Sequence, residues 1–258
     1  MSYGSEFRFT FFTNNICQAE WADKAGIANI GPDLEVLNKH LRQDANKTWI
    51  SDHQKSDIPK VYQHIASHKR FVRCNPIHSG SQSEINSLIE QGAETIMLPY
   101  FSDIQQAITF IEIIDRRAAP FLLVETACAA QILDKLIELD GVKEIHLGLN
   151  DIHLTLGMKN HFDLLCSPLM EELCTLLQNS NMPFGFGGVG KAMDNRLLIP
   201  SDLVYAQYPR LGASGALISR VFTAELSPEK LPEAVNAARD RLTYWSQQEF
   251  SKLVDMRD

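Results

Sequence analysis

The sequence of 258 residues lacks any apolar run that approaches the ~20 residues needed to cross a membrane as a helix. It has no basic leader at its N-terminus, which predicts that no signal peptide is present. Basic residues are fewer than acidic ones, and the formal net charge is −8. Acidic surfaces of this kind repel nucleic-acid phosphates and anionic membranes. We therefore expect neither nucleic acid nor a membrane as the partner. The net charge is still compatible with a local basic pocket that binds a small acid.

Cysteine is sparse, and the five cysteines are odd in number and form no C-x-x-C pair. Disulfide frameworks and structural zinc sites use paired or clustered cysteines, so both are disfavoured. Reduced thiols explain the pattern better, and we expect a soluble cytoplasmic protein. No stretch rich in proline, glycine or serine divides the chain, and 45% of the residues are hydrophobic. We therefore expect a single domain over residues 1–258.

Strand-like segments alternate with helix-like segments from one end of the chain to the other. The expected strands lie at residues 7–13, 27–33, 70–75, 93–99, 120–125, 143–150, 182–188 and 215–221. Eight strands, each followed by a helix in ~250 residues, are the pattern of an α/β protein of the (β/α)8 or TIM-barrel type. An open doubly wound sheet is the alternative, and the strand count and chain length favour the barrel. Within this pattern, S-Q-S-E at residues 81–84 predicts a helix-capping box.

The C-terminal segment predicts a long amphipathic helix over about residues 227–253, opened by Ser227 and Pro228. This helix is longer than closure of a barrel requires. Its apolar side chains would pack either on a neighbouring subunit or on the barrel of the same chain; they are Leu231, Val235, Ala238, Leu242 and Trp245. The first of these alternatives predicts a homo-oligomer.

Two carboxylates follow neighbouring strands of the expected barrel. The run F-L-L-V at 121–124 ends in Glu125, and G-L-N-D at 148–151 ends in Asp151. Active sites of such barrels lie at the C-terminal ends of the strands, so the two acids would converge there. Like charges held that close repel unless a cation or a proton intervenes, and such an oxygen pair suits Mg²⁺ or Mn²⁺. The alternative is that each acid caps the helix following it, where the helix dipole favours negative charge.

The motifs around these residues resemble the HpcH/HpaI aldolase and citrate lyase β-subunit family. F-L-L-V-E-T-A-C-A-A at 121–130 and H-L-G-L-N-D-I-H-L-T-L-G at 146–157 are similar to its E-T-A and G-x-N-D segments. Three more segments are similar to its second, third and fourth strands: G-I-A-N-I-G-P-D-L-E at 26–35, F-V-R-C-N-P at 71–76 and G-A-E-T-I-M-L-P-Y-F-S-D at 92–103. The resemblance extends over most of residues 10–220.

This resemblance implies an oligomeric TIM barrel that stabilises an enolate with a divalent metal. By that resemblance, Glu125 and Asp151 hold Mg²⁺ or Mn²⁺, and Arg73 faces the substrate carboxylate and the developing enolate oxygen. A metal would act as a Lewis acid on the carbonyl of a 2-oxo acid or a thioester, and Arg73 would add fixed positive charge. Gly148 and Asn150 of the sixth-strand motif are also expected to bind the substrate.

The chain departs from the family pattern at three positions. Val36 follows Glu35, where one branch of the family has aspartate and the other often has histidine. Tyr100 follows Pro99 in place of a frequent lysine, and Leu123 stands where a glutamine is frequent. Neither branch's substrate signature is intact, so the exact substrate stays open.

The general base must then come from elsewhere in the chain. Three histidines lie in the connections after the second and third expected strands, namely His40, His53 and His78. Histidine titrates near neutral pH, so each is a candidate base, although a solvated surface histidine is the commoner situation. Of the three we take His53 as the expected catalytic residue. His146 and His153 are expected to pack rather than to react.

Three further features have two interpretations each. The run G-F-G-G-V-G at 185–190 would bind substrate through the backbone of Gly187 and Gly188, or only allow a sharp turn. Arg220, after the last expected strand, would bind an anionic substrate tail or pair with an acid. Arg73 has a structural alternative as well, a salt bridge inside the barrel mouth to Glu35 or Glu125.

The sequence therefore predicts a divalent-metal-dependent carbon–carbon lyase of the class II aldolase type. Its expected substrate is a small 2-oxo acid that reacts through a pyruvate-like enolate. One alternative is a lyase for an acyl-CoA thioester of the citrate or malyl type. Another is a barrel that binds a metal and a ligand without turning anything over.

Overall fold

A computed structural model describes residues 1–37, 51–194 and 199–257, and it contains eight parallel strands in one sheet. The strands are β1 (Arg8–Phe12), β2 (Asn29–Gly31), β3 (Phe71–Arg73), β4 (Thr95–Leu98), β5 (Ala119–Val124), β6 (Glu144–Leu147), β7 (Phe184–Val189) and β8 (Gly215–Ile218). Their order is β2-β1-β8-β7-β6-β5-β4-β3, and bridges from Ile30 to Arg70 and from Asp33 to Arg73 join the two outer strands. The sheet thus closes into a TIM barrel, so the barrel prediction is confirmed and the open-sheet alternative is wrong.

Helices follow the strands and surround the barrel. In the described part of the chain they are α1 (Tyr3–Glu6), α2 (Ile16–Lys24), α3 (Asp57–Tyr62), α4 (Ser81–Glu90), α5 (Ile104–Ile114), α6 (Ala127–Gln131), α7 (Leu133–Leu136), α8 (Leu149–Thr155), α9 (His161–Leu165), α10 (Pro168–Asn179), α11 (Ser201–Arg210), α12 (Arg220–Thr223), α13 (Leu231–Ser246) and α14 (Phe250–Asp255). None of them combines the length and apolar character that a membrane-spanning helix requires.

The capping box predicted at residues 81–84 is wrong. Gly80 is the N-cap of α4, and Ser81 is already the first helical residue. The Ser81 hydroxyl oxygen accepts a hydrogen bond from the backbone N–H of His78 at 2.9 Å, outside the helix. The Glu84 carboxylate binds polar groups of the loop after β3 instead of the helix N-terminus. Glu84, which the local motif assigned to a helix cap, therefore forms tertiary contacts instead.

The barrel interior is filled by apolar side chains from alternate strand positions. Phe71, Met97, Phe121 and Leu123 form a buried cluster inside the sheet, separate from the larger layer between the sheet and the helices. The side chains of a strand point alternately to its two faces, which explains why the intervening residues join the outer layer. The interior cluster supports the floor of the barrel's C-terminal mouth, where Phe12 lies against it.

The C-terminal segment packs on its own barrel. It consists of two helices, α13 and α14, and the first lies against α1, α2 and α11. The carboxylate of Asp202 on α11 accepts two hydrogen bonds from Arg241 at 2.5 Å each and one from Trp245 at 3.3 Å. All five apolar residues assigned above to this helix are buried within the chain. They are therefore not free to contact a neighbouring subunit, and the homo-oligomer stays a prediction.

Replacement of Phe121 by alanine tests the interior packing. Phe121 is fully buried, so the change is expected to lower the free energy of unfolding by ~3–5 kcal/mol through lost burial and a cavity. Urea denaturation followed by circular dichroism measures this loss. The matched control is Phe250→Ala, because 65% of Phe250 is exposed and its truncation should change stability by less than ~0.5 kcal/mol. Equal effects of the two changes would contradict the packed interior.

Candidate active site

A buried ion-pair cluster lies where β2 and β3 end. Arg73 closes β3, and Asp33 and Glu35 follow β2. The Nε and Nη2 atoms of Arg73 donate to the two carboxylate oxygens of Asp33 at 2.8 and 2.7 Å, and Nη1 lies 3.2 Å from Oε2 of Glu35. The guanidinium also stacks over the ring of Phe12, 4.8 Å from its centroid. Three of its five N–H groups are thereby engaged, and its plane is held by packing on one face.

The charge of Arg73 is firmly fixed. Burial by itself would lower the pKa of Arg73, but the adjacent carboxylates of Asp33 and Glu35, with a contribution from Glu125, raise it above its usual value. The structural alternative stated for Arg73, a salt bridge to Glu35, is therefore present. Asp33, the bidentate partner, was missed, although an acid two residues before Glu35 at a strand end was a signal for it. An ion pair with acids and a contact with a substrate are compatible, since two N–H groups remain.

Glu125 lies buried directly after β5. Its Oε1 atom accepts a hydrogen bond from the backbone N–H of Tyr100 at 2.9 Å. Gly148 lies against it so closely that an added Cβ would come within 2.5 Å of the Glu125 Cβ atom. Glycine is required at this position because any larger side chain would displace the carboxylate.

Tyr100 adopts a strained backbone conformation beside this carboxylate. Its φ angle is +44°, in the left-handed region that a bulky residue rarely adopts. This conformation directs the N–H of Tyr100 to Glu125. The sequence signalled only that Tyr100 departs from the family pattern and carried no indication of the turn.

Thr126 explains the second position of the E-T-A motif. Its hydroxyl donates to the carbonyl of Phe101 at 2.8 Å and accepts the N–H of Ala129 at 3.0 Å, which caps α6. The loop after β4 is thereby joined to the end of β5. The capping alternative for Glu125 is wrong, because Thr126 is the cap and Glu125 binds the neighbouring loop.

Asp151 lies in the first turn of α8, directly after β6. It is half-buried, and the preceding Asn150 is exposed. The position is electrostatically favourable for an acid, as the capping alternative stated, although no side chain caps this helix. β5 and β6 are paired in the sheet, so the two acids follow adjacent strands. Their joint use as metal ligands stays a prediction, as does substrate binding by Gly148 and Asn150.

His53 is brought to the ion-pair cluster. Its Nδ1 atom accepts a hydrogen bond from the backbone N–H of Asp33 at 2.9 Å. Partial burial lowers the pKa of His53 below its ordinary value, against the opposing effect of nearby acids. His78 instead pairs with Glu84 on α4 at 2.9 Å, and His40 lies outside the described residues. Of the three candidate bases, the described structure places His53 beside the predicted site.

Asn75 anchors the loop that follows Glu35, a role that the sequence did not reveal. Its side-chain oxygen accepts the backbone N–H groups of Val36 and Leu37, both at 3.0 Å. Its side-chain nitrogen donates to Glu84 at 2.9 Å. One side chain therefore ties the end of β2 to α4.

The glycine run lies in and after β7, and its backbone is shaped by a buried histidine. The Nε2 atom of His146 lies 3.1 Å from the carbonyl oxygen of Gly187. Burial lowers the pKa of His146 to about 4, so its ring is neutral near pH 7, and packing inside the barrel is confirmed for it. Gly187 has a φ angle of +55°, as the sharp-turn interpretation requires, and Gly188 is exposed. Substrate binding by these two glycines stays a prediction.

Two remaining candidates lie outside the ion-pair cluster. His153 is buried in α8, where its ring nitrogen contacts the carbonyl of Leu149 at 3.2 Å, so its predicted packing role is confirmed. Arg220 is exposed at the start of α12, and both interpretations of it stay open. Among the described residues, no three histidine, cysteine or acidic side chains form a group suited to hold a metal ion.

No protein-family model matches the chain, and no curated protein matches it in sequence. Solved structures match it in shape. A HpcH/HpaI aldolase/citrate lyase family protein from Burkholderia cenocepacia superposes with a TM-score of 0.65 at 14% identity, over 88% of this chain and 94% of that one. The citrate lyase beta subunit from M. tuberculosis, complexed with oxaloacetate and magnesium, gives 0.61 at 14% identity over 94% and 99%. The protein CitE from Mycobacterium tuberculosis, in complex with magnesium and pyruvate, gives 0.62 at 13% identity over 98% and 99%.

These matches extend over nearly the whole length of both chains, so they concern the entire barrel. At 13–14% identity they establish a shared fold. The family to which the sequence motifs were assigned is also the one that appears among the structures of similar shape. The chain thus has the barrel fold of the HpcH/HpaI aldolase and citrate lyase β-subunit structures.

Proposed function

We propose that the chain is a divalent-metal-dependent carbon–carbon lyase of the class II aldolase type. Its substrate is a 2-oxo acid that reacts through a pyruvate-like enolate, as in the HpcH/HpaI aldolase and citrate lyase β-subunit family. The observation that carries the proposal is the convergence of buried Glu125 and the ion-paired Arg73 at one end of the barrel, where Glu125 contributes to the raised pKa of Arg73.

The charges at this end of the barrel favour a bound cation. Four carboxylates follow the ends of β2, β5 and β6: Asp33, Glu35, Glu125 and Asp151. Carboxylates that follow neighbouring strand ends provide oxygen-rich surroundings of the kind that bind a divalent cation. Glu125, with the space that Gly148 leaves for it, and Asp151 supply the hard oxygen ligands that Mg²⁺ and Mn²⁺ prefer.

In the proposed reaction, some residues bind the metal and others stabilise the negative charge of the enolate. Glu125 and Asp151 would hold the metal, which, when bound, supplies Lewis-acid activation of the substrate carbonyl. Arg73 keeps one N–H on each terminal nitrogen for the substrate carboxylate and for the oxygen that becomes negative in the enolate. Asp33 and Glu35 prevent reorientation of the guanidinium during the reaction, so little free energy is lost in aligning it.

The structures of similar fold support the substrate class. One holds magnesium with oxaloacetate, and another holds magnesium with pyruvate. Both ligands are small 2-oxo acids whose enol forms carry the charge pattern that Arg73 and a divalent metal would stabilise. A small carboxylate is therefore the proposed partner of this chain.

A lyase for an acyl-CoA thioester is the second candidate, since a citrate lyase beta subunit is among the structures of the same fold. Val36 and Tyr100 count against it, because they replace the aspartate and lysine typical of that branch. Saturable binding of a CoA ester in calorimetry would favour this candidate. Tight binding of metal and carboxylate with no turnover across a panel of 2-oxo acids would instead favour a barrel that only binds.

Hydrogen–deuterium exchange at the pyruvate methyl group tests the proposed reaction directly. We expect NMR to show exchange with Mg²⁺ or Mn²⁺ and none with a chelator, since the methyl proton leaves only when the enolate is stabilised. Glu125→Gln should reduce exchange by about 100-fold or more, because it removes the charge but keeps an acceptor for the Tyr100 N–H. Glu138→Ala, at an exposed position before β6, is the control and should behave as wild type. Undiminished exchange in Glu125→Gln would refute the metal role.

Replacement of Arg73 by lysine tests the oxyanion role. Lysine keeps the positive charge but lacks the planar fork that binds Asp33 and would bind a carboxylate. We expect the exchange rate to fall by about 100-fold, with metal affinity in calorimetry changed by less than about 10-fold. Arg116→Lys is the matched control, since Arg116 forms an exposed ion pair with Asp140 away from the site. Normal exchange in Arg73→Lys would show that the arginine is structural only.

A further inference from the structure

The hydrogen bond between Asp33 and His53 determines where the histidine carries its proton. The backbone N–H of Asp33 donates to Nδ1 of His53 at 2.9 Å, so Nδ1 must present a lone pair. In a neutral imidazole the single ring hydrogen is then on Nε2. The ring is available as a hydrogen-bond donor through Nε2 and is already engaged as an acceptor through Nδ1.

The same residue that orients His53 also orients Arg73. The backbone N–H of Asp33 holds the imidazole, while its carboxylate holds the guanidinium through two hydrogen bonds. The donor groups of His53 and Arg73 are therefore both positioned by Asp33, which lies immediately after β2. A second contact supports the histidine, since the hydroxyl oxygen of buried Ser51 accepts its backbone N–H at 3.2 Å.

The surroundings of His53 favour the neutral ring. Partial burial is the largest influence and lowers the pKa of His53. Three acids act in the opposite direction and are outweighed: Asp33 after β2, Asp52 in the same segment and Asp57 on α3. A second proton could be added only at Nδ1, where it would face the N–H of Asp33 and break the hydrogen bond. Uptake of a proton by His53 would thus disrupt the arrangement that positions it.

We infer that His53 is a hydrogen-bond donor to a substrate oxygen that gains negative charge, and not the general base expected from the sequence. This inference rests on the proposed enolate chemistry. The donor is the Nε2–H group, and the hydrogen bond to the Asp33 backbone keeps the tautomer in place. His53 complements Arg73 as a neutral donor, so it adds no charge that would repel a divalent cation. The proton removed from the substrate must go to another group.

The tautomer can be measured without any assay of activity. Two-dimensional ¹H–¹⁵N NMR of the full-length protein, with ¹⁵N-labelled histidine, distinguishes a protonated from an unprotonated ring nitrogen. The His53 signals are assigned by their disappearance in His53→Gln. We expect the Nε2–H tautomer at pH 7. An Nδ1–H tautomer or a doubly protonated ring at that pH would overturn the inference.

Two substitutions separate the donor role from the base role. Gln at position 53 places an amide N–H near the position of Nε2 but cannot act as a base, whereas Asn reaches only the position of Nδ1. For a donor, we expect His53→Gln to retain the exchange rate of the pyruvate methyl within about 10-fold and His53→Asn to lose about 100-fold. If both variants lose activity equally, by ~10²–10⁴-fold, His53 is the base and the inference fails. His78→Gln is the matched control, since its ring pairs with Glu84 instead, and it should behave as wild type.

Failure of the proposed function would be seen separately. If the wild-type protein shows no exchange with either metal, the lyase proposal fails, and the NMR tautomer alone then decides whether Asp33 holds His53 as a donor. If exchange occurs in the wild type and follows the pattern expected for a base, the lyase proposal stands and the donor inference is rejected.

Discussion

The ion pair of Arg73 with Asp33 lies at the seam where the barrel closes, and both the fold and the candidate site depend on it. β2 and β3 are joined there by an isolated bridge between these two residues, with backbone hydrogen bonds from Arg73 to Pro32 and from Leu34 to Arg73. Removal of one partner from a buried pair typically costs ~3–5 kcal/mol because a charge is left unpaired. Glu35 adds a second carboxylate to the same guanidinium. The charges that close the seam therefore cannot be changed without loosening the barrel.

Two further acids, Glu125 and Asp151, follow β5 and β6 at the same end of the barrel. The guanidinium of Arg73 already contacts two carboxylates, those of Asp33 and Glu35. In the proposed reaction, a divalent cation held by Glu125 and Asp151 would bind together with the carboxylate substrate. Tyr100 and Gly148 position the Glu125 carboxylate. The backbone N–H of Tyr100 donates to it, and Gly148 leaves space for it. The backbone strain at Tyr100 accordingly occurs where a carboxylate must be held in one orientation.

Much of the fold was predictable because it depends on patterns that recur along the chain. Eight apolar segments separated by amphipathic ones are sufficient to indicate a barrel, and the C-terminal end of each strand then identifies where polar residues matter. Glu125 and Arg73 were located in this way. The capping box at Ser81 failed for a specific reason: Glu84 instead binds Asn75 and His78 in the loop after β3. The apolar face of α13 is covered by the chain's own α1, α2 and α11, as one of the two alternatives expected, and the homo-oligomer stays a prediction.

The sequence by itself determined the barrel, the ends of its strands and the residue types that meet there, because hydrophobic period and strand length are local properties. Only the tertiary structure decided how those residues are used. Three contacts join segments about 25 to 40 residues apart. Asp33 binds Arg73, Asn75 anchors the loop after β2, and Tyr100 donates to Glu125. Directional hydrogen bonds between distant segments depend on angles and distances that no local pattern specifies. The position of the proton on His53 is the clearest case, because a single backbone N–H twenty residues away determines it.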